Sequence, residues 1–244
     1  MLDLLGSIVG MMAIAVSLVA IVCVLPGSLA RRLSVAAIAG AWVGLAEGLG
    51  AAGELVFSPS NPVPLVGVLF AAPLLIAGAL ALLVSRVRST LMGIPMPVLI
   101  GLNAQRVFGV LFLLLAAAGR LSGPFPYFAG IGDIITGALA IPLALSVARS
   151  QTASAAAVRR WNVFGTLDLF AAVGLGLTSA AGGPLQLIHA GVGSEAVQHL
   201  PFCLIPTALV PFYLITHAII AAQLRAQRAV HSTGQFLTPR ITTS

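Results

Sequence analysis

Seven apolar stretches recur along this chain, each close to the length a helix needs to cross a hydrocarbon layer. A membrane-spanning helix takes roughly 20 mostly apolar residues. The stretches fall at 4–25, 33–55, 64–84, 96–119, 127–148, 161–180 and 201–224. The gaps carry turn chemistry: Pro26-Gly27, Pro59 with Asn61-Pro62, Pro95 with Pro97, and Pro124 with Pro126. Only 7% of the residues are charged, against about 25% in a soluble domain, and the mean hydropathy is +1.09. The first stretch does not read as a cleavable leader, because Asp3 precedes it and Arg31-Arg32 follow it, the reverse of a leader's charge order.

Arginine sets the expected orientation. Arg31, Arg32, Arg86, Arg88, Arg149, Arg159, Arg160, Arg225, Arg228 and Arg240 all fall on one side of the seven spans, in every second connection and the tail, with Arg120 alone on the other. Positive residues accumulate on the cytoplasmic side, so the N-terminus is expected outside and the C-terminus in the cytoplasm. The expected fold is an all-α bundle of seven transmembrane helices, one domain over 1–224, followed by a polar, disordered cytoplasmic tail over 225–244. Small residues such as Gly44, Gly48, Gly130, Gly137 and Gly174 let helices approach closely in lipid. The stretch 181–200 is the longest loop, long enough for a short interfacial helix.

Several chemistries are excluded or left without a motif. The net charge of +6 comes from short arginine clusters, not from a basic face with interleaved aromatics, so no nucleic-acid partner is expected. Lysine is absent, which rules out a retinal Schiff base. Cys23 and Cys203 lie in or beside apolar stretches and read as buried free thiols. His189, Glu195 and His199 in the long loop fall short of a convergent metal set. His217 lacks the second histidine at its depth that a bis-histidine haem would need. No phosphate loop, nucleophile elbow or paired-histidine zinc motif is present. No cofactor and no metal are therefore expected.

The chemistry that remains lies inside the spans. Arg106 sits in the middle of the fourth stretch, where a guanidinium needs a partner or a wet cavity. Glu47, Asp133, Asp168 and His217 are the candidate partners, and Gln105 reads as a supporting donor. With 1.5 Å of rise per residue, Glu47 and Asp133 lie in the outer half, Arg106 centrally, and Asp168 with His217 in the inner half. The expectation is thus a ladder of polar groups, with Asp133 as Arg106's first partner across the short 119–126 loop. Such pairs either fix helix register, since each buried charge must be neutralised, or line a functional cavity or relay. Gly130-x-x-Asp133 recurs as Gly165-x-x-Asp168, which places a small residue on the carboxylate's own face; the match reads as either a relic of repetition or coincidence. Pro206 and Pro211 each free a carbonyl inside the last span, to be met by a cavity or by a kink satisfied through Thr207 or packing.

The stretches Gln105-Arg106-Val107-Phe108-Gly109, Gly130-Ile131-Gly132-Asp133 and Leu200-Pro201 through His217 resemble a group of uncharacterised bacterial integral-membrane proteins, over roughly residues 97 to 224. The resemblance implies a multi-pass protein of the bacterial inner membrane and brings no activity with it. The residues favour transport of a small anionic solute, or of ions or protons, through the intramembrane polar site, with the lipid bilayer as surroundings. A non-catalytic subunit partnering another membrane protein is the alternative. An intramembrane enzyme ranks third, for want of a nucleophile–base or metal set.

Overall fold

The computed structural model describes residues 1–58, 63–149 and 155–236. Among them every regular element is helical. Helices α1 (Leu2–Val24) and α2 (Leu29–Ala51) form a hairpin whose turn uses Gly27 at φ 125°, a left-handed position that only glycine takes freely. The Ser28 side chain caps α2 by accepting from Arg31 N at 3.4 Å. Helix α3 (Leu65–Leu83) is followed directly by the short polar α4 (Ser85–Met92). The fourth span is α5 (Met96–Leu102), a 3₁₀ segment (Asn103–Gly109) and α6 (Val110–Ala117) in sequence. Helices α7 (Phe125–Arg149) and α8 (Ala155–Thr178) come next, and the chain ends in a π-helical turn (Ile205–Leu209) leading into α9 (Val210–Phe236).

Seven of these units are long and apolar enough to cross a membrane, so this is a helical protein of multi-pass membrane type. Its surface agrees: Leu4, Ile8, Val19, Leu75, Leu82, Leu139 and Leu167 stand exposed on four different helices, a pattern lipid accepts and water does not. Spans α7 and α9 lie at the centre. The first packs against the 3₁₀ segment, α5, α6 and α8; the second against α3, α4, α5 and α8.

Two sequence expectations change, and one choice between alternatives is decided. Span six starts at Ala155, six residues before the expected 161, because Val158 and the Trp161 ring are buried in the core instead of lying in a loop. The first part of the 225–244 segment is helical, not disordered, since α9 continues through Phe236; its arginines, glutamines and alanines are good helix formers. Residues 237–244 lie outside the described residues. The proline kink is satisfied internally: the Thr207 carbonyl, left without a donor by Pro211, accepts Trp42 Nε1 at 2.9 Å, while Thr207 Oγ1 donates to Cys203 O at 2.6 Å.

The two ends of the bundle differ. Arg31, Arg86, Arg88, Arg149, Arg160 and Arg225 gather at one end. At the other, Arg120 pairs with Asp3 at 2.6 Å and lies over the Phe202 ring. There the 179–204 segment folds back over the helix ends. It holds a 3₁₀ turn (Glu195–Gln198) whose Gln198 Oε1 accepts Phe57 N at 2.8 Å, and Ala196, Val197 and Phe202 pack with Phe112, Leu115 and Phe125.

Candidate functional site

The 3₁₀ segment is what delivers Arg106. At the end of α5 the Asn103 N–H bonds Ile100 O, as in 3₁₀ winding, which releases the Leu99 carbonyl. Asn103 Nδ2 takes that carbonyl at 2.9 Å, and also donates to Thr216 Oγ1 on α9 at 3.0 Å. The tighter winding turns Arg106 into the bundle, where it is 2% exposed. Mid-helix 3₁₀ stretches often mark functional hinges. The backbone can sit so close to α7 because Gly137 has no side chain; a Cβ there would come 2.5 Å from Val107 N.

Every guanidinium nitrogen of Arg106 is engaged. Nε donates to Asp133 Oδ1 at 2.6 Å and Nη2 to Asp168 Oδ2 at 2.5 Å. Nη1 donates to Gly165 O at 3.2 Å and to His217 Nε2 at 3.1 Å. His217 Nδ1 lies 2.8 Å from Asn162 Oδ1, an oxygen that can only accept. Nδ1 therefore carries the ring proton, and Nε2 is free to accept from Arg106. The Trp161 ring lies tilted against the imidazole with centroids 5.0 Å apart, and its Nε1 donates to Thr136 O at 2.9 Å. Two further glycines make the cluster possible. A Cβ at Gly132 would overlap Asp168 Oδ1, and one at Gly165 would come 2.7 Å from His217 Cε1.

The expected ladder is thus one cluster at one depth. Asp133 and Asp168 do not fall at opposite levels; they grip the same guanidinium from α7 and α8. The reason is the early start of α8, which puts Asp168 thirteen residues into that helix and near its middle. Glu47 does not join them. It is exposed on α2, close to that helix's C-terminal end, because α2 begins at Leu29 and carries Glu47 past mid-depth. Gln105 faces elsewhere too, making long contacts to Ser17 Oγ (3.5 Å) and Tyr213 Oη (3.4 Å) instead of supporting Arg106. Asn162 was missed by sequence reasoning. The signal was a polar residue ahead of Gly165, masked by placing Asn162 at the span's edge.

In charge terms, two carboxylates face one guanidinium, with a histidine whose lone pair is already used. Full ionisation leaves one uncompensated negative charge in a low-dielectric interior, and a single proton or small cation removes it. Cavities reach the cluster from both sides. A groove of about 1190 Å³ runs between α3, α4 and α8, with α9 as its floor, from Arg86 and Arg88 to Asn162 and His217. On the opposite side a pocket of about 40 Å³, room for about one water, is lined by Gly6, Phe202 and Tyr213 and touches Arg106 and Asp133. Among the described residues no His/Cys/Asp/Glu group is arranged to hold a metal ion.

Neither the curated proteins nor the solved structures hold a match to the chain. A family profile does match it, over residues 63–225, a stretch that contains Arg106, both aspartates, Asn162 and His217. The chain therefore belongs to the family described as a domain of unknown function (DUF8737).

Proposed function

We propose that this protein is a proton-coupled transporter of a small anionic solute in the bacterial cytoplasmic membrane, with its N-terminus outside and its C-terminus inside. The observation that carries the reading is a buried cluster with one carboxylate in excess, bordered by a wide cavity on one side and a water-sized pocket on the other. A site that exchanges one proton between two faces needs a group whose charge changes at low cost. Asp133 and Asp168 sharing Arg106 supply it, since the guanidinium neutralises one carboxylate and the other takes or releases the proton. His217, tied to both Arg106 and Asn162, joins the cluster to the wide cavity. The 3₁₀ segment and the π turn are the places where the spans could repack to shift access from one cavity to the other.

The inner end would be the arginine-bearing one, in keeping with the positive-inside bias. The test is flux in proteoliposomes carrying a pH-sensitive dye, wild type against Arg106→Ala. Loss of flux in a folded variant supports the reading; unchanged flux removes Arg106 from the mechanism. A second reading, a non-catalytic subunit of a membrane complex, draws on α2, which packs on α1 and the π turn while side chains at Gly40, Gly44 and Gly48 would meet open space. A stoichiometric membrane partner on purification, together with no flux from the isolated protein, would favour that reading.

A further inference from the structure

The groove that leads to His217 has walls a purely hydrophilic solute would not require. Helices α3 and α8 both pack on α9 and leave a slot between them. Leu74 and Gly78 of α3, Phe170 of α8 and Leu214 of α9 line its deep part, and Arg86 and Arg88 of α4 line its mouth. Leu82 and Phe170 are exposed along it, so the slot opens sideways, toward the lipid. From Leu74 to Leu82 the α3 wall extends eight residues, about 12 Å of helix rise, before α4 brings in the two arginines. Both arginines are exposed, and among the described residues neither has an ion-pair partner. An unpartnered cationic mouth over a long apolar slot that opens to the side complements a molecule with an anionic head and an apolar chain.

We propose that this groove binds a phospholipid with an anionic headgroup, its phosphate on Arg86 and Arg88 and an acyl chain laid past Gly78 and Phe170 toward His217. The binding does not rest on the transport reading.

The experiment measures lipid retained by the purified full-length protein in neutral detergent, using phosphatidylglycerol, phosphatidylcholine and soluble glycerol phosphate as probes. Basic residues near a headgroup contribute about fivefold each, so two give about a twenty-fivefold preference for phosphatidylglycerol over phosphatidylcholine. Arg86→Gln with Arg88→Gln should bring that ratio to about one. Gly78→Phe should lower retention of both lipids, because a side chain there enters open space in the groove and leaves the core packing alone; thermal melting of each variant checks the fold. Equal retention of the two lipids by the wild type would overturn the proposal. So would a preference that survives the double arginine change, or displacement of the lipid by equimolar glycerol phosphate, which would mark a site for the head alone. Binding as expected without flux would sink transport only, and flux without lipid preference would sink the groove assignment only.

Discussion

Replacing Asp168 by asparagine separates a cluster that merely neutralises Arg106 from one that carries an extra charge. The Nη2–Oδ2 contact is 2.5 Å, and asparagine keeps an acceptor oxygen at that place. Turning a charge-assisted bond into a neutral one costs about 1 kcal/mol. The same change removes the uncompensated negative charge, which offsets that cost, so Asp168→Asn should lie within about 1 kcal/mol of wild type. The double change Asp133→Asn with Asp168→Asn has a different outcome. It leaves a guanidinium at 2% exposure with no counter-charge, and breaking a buried pair in this way costs about 3–5 kcal/mol. In a chain of this size 1 kcal/mol moves the melting temperature by about 2–4 °C. Thermal unfolding in detergent should therefore show a shift of a few degrees for the single variant and about 6–20 °C for the double. A single variant as unstable as the double would refute the charge count.

Other changes probe the framework. Gly132→Ala puts a methyl where the Asp168 carboxylate lies, and should cost about 1–3 kcal/mol in unfolding measurements; an alanine variant as stable as wild type would mean the carboxylate has room to move. Trp42→Phe leaves the Thr207 carbonyl without its donor beside Pro211, for a loss of about 1–3 kcal/mol by the same assay. A reporter active only in the cytoplasm, fused after residue 244, should be active, and activity of a periplasm-only reporter there would reverse the proposed orientation.

The seven spans were legible in the sequence because each carries its own apolar length, and lipid leaves the backbone no other solution. Arg106 was legible for a related reason, since a guanidinium within an apolar run demands partners. The level at which those partners meet was not legible. It depends on where α8 begins, and Val158 and Trp161 read as loop-edge residues until their burial against α7 and α9 is known. The 3₁₀ winding was hidden as well. Nothing local in Asn103–Gly109 breaks a helix; the segment tightens because Asn103 reaches Leu99 O and Thr216 while Gly137 lets the backbone onto α7. Glu47 was misjudged because α2 begins at Leu29, which carries it past mid-depth, and because it stands on an exposed face of that helix. The Gly-x-x-Asp pattern does have a structural counterpart, in that Gly165 supplies both the carbonyl for Arg106 and the space for His217.

The most direct test of a proton-carrying cluster is the proton flux of Asp168→Asn in proteoliposomes driven by an imposed voltage, with its fold verified by the melting experiment above. A positioned proton-transfer group contributes about a hundredfold or more in rate. The account predicts a folded variant whose flux falls by at least about that factor, because a lone Asp133 paired to Arg106 has no proton to exchange. Wild-type flux from folded Asp168→Asn would contradict it and leave the cluster as a fastening between helices.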